Sequence, residues 1–191
     1  LKDAVSAVER ARHLTQQLLT FAKGGAPVRE AVSLPEVVQE VTQFVLRGSG
    51  VKCEFRFASD LWTAEVDRGQ ISQVVQNIIL NAKQAMPSGG TVDVGLENET
   101  VHGGAHPLLG PGRYLRLVFR DHGCGIPAET LDRIFDPYFT TKKGGTGLGL
   151  ATVYSIITRH RGHISVESEE GRGTTFTIHI PAAEEAAPPP S

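Results

Sequence analysis

The sequence predicts an α/β fold in two layers. Three observations carry that prediction. Stretches with helical apolar spacing are interspersed with short strand-like runs along residues 28–180. Turn signals of the hairpin kind sit between some of those runs, so helices and strands share one unit. A length of 191 residues, 40% apolar and 21% charged, suffices to bury one sizeable core and is too apolar for wholesale disorder.

Residues 1 to about 23 read as one helix. Ala4, Val8, Ala11, Thr15, Leu18 and Ala22 form its stripe, and Gly24-Gly25-Ala26-Pro27 stops it. That stripe must be buried against the main body or against a bundle. Val28–Val32 is extended. A helix spans 34–46, with Ser33 as its cap and Glu36 completing a capping box. Val51–Phe57 and Leu61–Val66 are strands joined by the turn Ala58-Ser59-Asp60. Asp67 caps a long helix to about Met86, with Gln70 three residues on. Thr91–Glu97 and Arg113–Phe119 are strands, and Asn98–Gly112 between them reads as a surface loop. Residues 120–146 read as irregular and glycine-rich, and a helix follows over 147–161. Strands His163–Glu167 and Thr174–Ile180 flank Gly171-Arg172-Gly173, and 182–191 is an Ala/Glu/Pro-rich tail.

Composition excludes several function classes. Nineteen Lys and Arg against 21 Asp and Glu give a net charge of −2, which offers no broad electrostatic footing for nucleic acid or an anionic membrane. No apolar run approaches a membrane span, and Leu1-Lys2-Asp3-Ala4 has no signal-peptide pattern. The missing initiator Met reads as a piece of a longer chain. Cys53 and Cys124 match no metal spacing and no disulfide framework, which suits a reducing, cytoplasmic setting.

Four motifs carry chemistry. Asn77 and Asn81 lie one helical turn apart, off the stripe of Ile71, Val74, Val75, Ile78 and Ala82. Asparagine is a poor helix former, and an amide oxygen can ligate Mg²⁺ without adding charge. The pair also suits solvent-facing or internally bonded amides. Asp121 closes a strand before His122-Gly123-Cys124-Gly125-Ile126-Pro127. It can accept a hydrogen bond from an exocyclic amine such as adenine's, or equally bond its own backbone in a tight turn. Ile134-Phe135-Asp136-Pro137-Tyr138-Phe139-Thr140-Thr141-Lys142 is either a latch under a loop or a satellite core cluster. Gly144-Gly145-Thr146-Gly147-Leu148-Gly149 opens a helix, where free N–H groups and the helix dipole suit an anion. A flexible hinge is the bland alternative.

In order and placement the four motifs resemble the N, G1, F and G2 boxes of the ATP-binding domain of sensor histidine kinases, within the gyrase/Hsp90/histidine-kinase/MutL superfamily. Phe135-Asp136-Pro137-Tyr138-Phe139-Thr140-Thr141-Lys142 and Asn81-Ala82-Lys83-Gln84-Ala85-Met86 resemble the NtrB-like subgroup. The segment Arg10–Phe21 resembles the second helix of that family's dimerisation hairpin. The resemblance implies a mixed sheet with three helices on one face. It makes 1–25 the partial hairpin, 28–181 the ATP-binding catalytic domain and 182–191 a flexible tail. It implies ATP and Mg²⁺ as cofactors, with Asn81 on the metal and Asn77 on phosphate or water as the catalytic pair. Asp121 would take the adenine amine in a pocket shaped by Gly123, Gly125 and Ile126. Phe135 and Phe139 would anchor a lid over Thr140–Thr146, mobile without nucleotide. Lys142, Gly145, Thr146, Gly147, Leu148 and Gly149 would line the phosphates. The implied partners are a response-regulator receiver domain and a second copy of the parent chain through the hairpin.

None of the seven histidines is followed by an acidic residue and a nearby Pro, as that family's phosphoacceptor is. The chain is therefore expected to bind ATP without phosphorylating itself. His122 could line the site. Many subgroups carry Lys where Gln84 stands, which weakens a phosphate role for the neighbouring Lys83. Two other readings compete, a hydrolysing clamp and a degenerate nucleotide scaffold. The hydrolysing relatives place Glu, a general base, where Asn77 stands, and an amide takes no proton. Against the scaffold, all four boxes are intact.

Overall fold

The computed structural model describes residues 26–103, 108–142 and 145–183. The helix expected over 1–23 and most of the tail lie outside those residues. Seven strands and four helices follow in the order β1 (Glu30–Val32), α1 (Leu34–Leu46), β2 (Val51–Phe57), β3 (Ala64–Val66), α2 (Arg68–Ala85), β4 (Gly90–Val101), β5 (Gly112–Asp121), α3 (Ala128–Leu131), α4 (Gly149–Arg159), β6 (His163–Glu169) and β7 (Gly173–Pro181).

Five strands form a mixed sheet in the order β2-β4-β5-β7-β6, with β2 parallel to β4 and the other pairs antiparallel. In register, Val94 faces Phe119, Phe119 faces Phe176, and Ile178 faces Ile164. All five positions are buried, so one face of the sheet is continuously apolar. Helices α1, α2 and α4 cover it with Leu34, Val37 and Val38, with Ile71, Val75, Ile78 and Ile79, and with Val153, Ile156 and Ile157. The opposite face carries charge, including Arg56 beside Asp93 and Arg116 beside Glu97.

Several expectations need correction. The strands over 51–57 and 61–66 do not form a hairpin. Only Ala64–Val66 is strand, and it pairs antiparallel with β1 in a separate two-stranded sheet. Ser33 is the N-cap of α1, but its hydroxyl makes no capping bond; Pro35 in the first turn presets the backbone instead. The loop expected from residue 98 begins only after Val101, because β4 stays paired with β5 as far as Val101↔Gly112. The stretch 120–146 contains the short helix α3, and the helix expected over 147–161 runs from Gly149 to Arg159.

The N-terminus of α2 is a junction. Asp67 Oδ1 accepts from Gln70 N at 3.0 Å, as its spacing predicted, and Asp67 Oδ2 accepts from Val28 N at 3.1 Å. Asp67 N donates to His160 Nε2 at 3.0 Å. Nε2 is therefore the bare nitrogen, and Nδ1 carries the proton it donates to Ile156 O at 2.8 Å. Burial lowers the His160 pKa; the Ile156 bond opposes that, Arg29 and Arg159 add to it, and Asp67 opposes it.

A second proton on His160 would break the Asp67 bond. The folded pKa lies below the ordinary value of 6.5, so the unfolded chain takes up the proton first. The stability this histidine contributes is present above about pH 6.5 and is lost as the pH falls below it. Urea unfolding of the wild-type chain and of His160→Gln at pH 7.5 and pH 5 should show the gap between them narrowing toward acid, at roughly those two pH values; parallel curves would contradict the assignment.

Candidate functional site

Helix α2 has a polar edge beside its apolar stripe, and the other elements meet it there in order. At its C-terminal end the strand β5 stops at Asp121, and the chain then crosses Ala85. Cys124 N donates to Ala85 O at 3.2 Å, and a Cβ on Gly123 would lie 2.6 Å from both the Ala85 Cβ and its carbonyl oxygen. Glycine at 123 is what lets the two backbones touch. One turn back, Asn81 Oδ1 accepts from Lys142 Nζ at 3.0 Å, and Gln84 Oε1 accepts from the same ammonium at 2.7 Å. One turn further, Asn77 Nδ2 donates to Gly149 O at 3.2 Å, at the start of α4. These contacts span nine residues of α2, 77–85, roughly 12 Å of helix.

Asn77 does not sit on a solvent face beside Asn81. It is 3% exposed, whereas Asn81 is half-buried. Helix α4 packs its N-terminus over this position, so Asn77 is an internally bonded amide.

Asp121 is buried, and its Oδ1 accepts from Gly123 N at 2.9 Å. Burial raises its pKa, while the Gly123 and Thr174 N–H groups, His122 and Lys142 pull it back down. The tight-turn bond leaves room for a further acceptor, since a carboxylate has more than one lone pair to offer. His122, one residue on, takes the other face of the sheet and contacts Asp93 Oδ2 at 2.9 Å, so it does not join the α2 edge. Lys83 also turns away, donating to Val45 O at 3.2 Å.

The remaining expected residues divide by location. Gly125 and Ile126 lie against the β6–β7 turn, with Ile126 N donating to Ser168 Oγ at 2.8 Å and Gly171 N to Cys124 O at 2.7 Å. Phe135 and Phe139 are half-buried against the core; Phe135 packs on Tyr154, and the Arg133 guanidinium lies over Phe139. Thr140 Oγ1 accepts from Lys142 N, and Thr146 Oγ1 from Leu148 N. Leu148 points its side chain into the interior. It is also the N-cap of α4 and supplies no capping oxygen of its own. Residues 143 and 144 lie outside the described residues, while Tyr138 N donates to Gly147 O at 2.9 Å and closes the loop between them.

The donor set fits a metal-bearing nucleotide. Among the described residues there is no group of three or more His, Cys, Asp or Glu that could hold a metal ion. Mg²⁺ ordinarily keeps several waters and takes one or two protein oxygens plus phosphates. A single amide oxygen, already occupied by an ammonium, meets that pattern. Gln84 is the residue the sequence reading left without a role; its distance of three from Asn81 already put it on the same face. A separate shallow cavity of about 440 Å³ lies on the open face of the sheet, lined by Arg56, Gly95, Glu97 and Arg116 among others, and contains none of these groups.

Residues 66–184 match the histidine kinase-, DNA gyrase B- and HSP90-like ATPase family. The chain belongs to that family. Sensor kinase CckA of Brucella abortus is 37% identical over 90% of this chain, and sensor histidine kinase ZraS of Escherichia coli 34% identical over 91%. The chain spans 19% and 35% of their lengths. Full-length ShkA in complex with AMPPNP superposes with a TM-score of 0.75 at 26% identity, over 97% of this chain and 40% of that one. The mixed sheet with helices on one face is thus the histidine-kinase ATPase fold, in an ATP-binding domain. The subgroup within the family stays an expectation.

In this ATPase domain two glycines are bound to the architecture. Gly125 and Gly147 have positive φ angles of 69° and 66°, and a Cβ on either would run into backbone, of Glu169 and of Tyr138 respectively. Gly147→Ala should cost about 2 kcal/mol or more of unfolding free energy. Gly149→Ala, whose Cβ would meet only ordinary contacts with Asn77, should stay within about 1 kcal/mol of wild type. Denaturant unfolding of both variants checks the contrast.

Proposed function

We propose that this chain is the catalytic part of a two-component sensor histidine kinase. It binds ATP with Mg²⁺ along the polar edge of α2 and passes the γ-phosphoryl group to a histidine that is not among its own seven. The observation that supports this most directly is the alignment of Asp121, Asn81, Lys142 and the start of α4 along nine residues of one helix.

Each residue has a part in that reading. Asp121 accepts the adenine amine, and Gly123, Gly125 and Ile126 bring backbone close to the ring. Asn81 offers its amide oxygen to the metal. The N–H groups at Gly147 and Gly149, with the dipole of α4, hold phosphate oxygens, and Gly145, Thr146, Leu148 and Thr140 shape the loop around them. When bound, Mg²⁺ would neutralise charge on the transferred group. Asn77 holds α4 in place through the Gly149 carbonyl and cannot accept a proton from water, which favours transfer to an imidazole over hydrolysis. The phosphoryl group then goes on to a response-regulator aspartate. The parent protein is a homodimer. This part of it is cytoplasmic and touches neither membrane nor nucleic acid; among the described residues no helix is long and apolar enough to cross a membrane.

Calorimetric titration with ATP, in Mg²⁺ and in EDTA, tests the reading. Asp121→Asn should weaken ATP by about tenfold or more, roughly 1.4 kcal/mol. Asn81→Asp should change the metal dependence. If both variants bind ATP as wild type does, the site is wrongly placed. Incubated alone with labelled ATP, the chain should form no phosphohistidine.

A further inference from the structure

Lys142 leaves its loop to reach α2, and the loop is built to send it there. Its own N–H donates to Thr140 Oγ1 at 3.1 Å, and its carbonyl accepts from Gly145 N at 3.1 Å. The ammonium then bridges two acceptors on one turn of α2, Asn81 Oδ1 and Gln84 Oε1, and the bond to Gln84 is the shorter. Both bonds are charge-assisted on the donor side. The ammonium is drawn partly out of water: burial lowers its pKa against the opposing pull of Cys124 and Asp121. Asn81 Oδ1 is also the atom assigned above to the metal. An ammonium 3.0 Å from that oxygen and a divalent ion ~2.1 Å from it would compete for the same lone pairs and repel each other.

We propose that Gln84 is a positioning residue that parks the Lys142 ammonium on Asn81 in the nucleotide-free protein, so that the lysine stands in the metal's place and pins the loop until a metal-bearing nucleotide displaces it. The displacement half of this inference rests on the assignment of Asn81 as metal ligand; the pinning half does not. One cation leaves the amide oxygen as another arrives, and the released ammonium can turn to the phosphates. Gln84 supplies no charge and touches no nucleotide. It sets how firmly the lysine is held, and so how readily the loop opens.

Gln84 is exposed, so Gln84→Met removes the acceptor without threatening the fold. Hydrogen exchange is measured on the nucleotide-free wild type, Gln84→Met, Lys142→Met and the double variant. Amides at 139–142 and 145–147 should exchange about three- to tenfold faster in Gln84→Met, the factor expected for one charge-assisted bond at a partly exposed site. Lys142→Met should be at least as fast, and the double variant no faster than it. In calorimetry, Gln84→Met should bind ATP more tightly by about the same factor in Mg²⁺ and not in EDTA. Unchanged loop exchange in both single variants overturns the latch. Faster exchange without a Mg²⁺-dependent gain in ATP affinity overturns the competition with the metal. Wild type that binds no ATP sinks the proposed function instead, and the exchange data still decide the latch.

Discussion

Everything in this domain is arranged around the double duty of α2. A helix presents one stripe to a core, and here Ile71, Val74, Val75, Ile78, Ile79 and Ala82 are all given to burial under the sheet and its neighbours. The remaining edge must then hold polar groups at the margin of that core, where a stray amide costs about 1–3 kcal/mol if left unmade. Asn77 meets that demand through the Gly149 carbonyl and Asn81 through the Lys142 ammonium. The hydrogen bonds that satisfy the edge are the ones that dock α4 and the loop before it. Core formation and site assembly are therefore one event.

The two ends of α2 are secured differently. At the start, the Asp67 carboxylate serves Gln70 and the incoming chain at Val28, while its N–H is held by the buried His160 from the end of α4. At the finish there is no room for side chains: Gly123 lies against Ala85, so β5 can pass directly beneath the helix terminus. Together these fix the distance between Asp121 and the opening of α4.

Much of this was legible in the sequence where local rules decide. The Asp67 cap, the bounds of α2 and the sheet-facing residues follow from spacing and from capping chemistry. The failures share a cause. Short strands were assigned partners by proximity in the chain, yet β3 pairs with β1, because three residues take whichever edge the tertiary fold offers. The end of β4 was cut early at Asn98, although cross-strand pairing with β5 continues through polar residues to Val101. The burial of Asn77 depended on a helix some seventy positions away in the chain, which no local periodicity reports. The contact of Lys142 with Gln84 is of the same non-local kind, although the placement of Gln84 beside Asn81 was there to read.

The uncovered side of the sheet has a different character. Its charges are largely spent on one another, Arg56 with Glu54 and Asp93, Arg116 with Glu97 and Glu99, His122 with Asp93. Exposed pairs of this kind contribute little to stability, on the order of 1 kcal/mol at most each. Those side chains point away from the helical layer, since alternate residues of a strand point apart. Mutational drift can therefore rewrite one surface of the domain while leaving the chemistry on the other intact, giving the scaffold room to diversify its recognition without relearning its reaction.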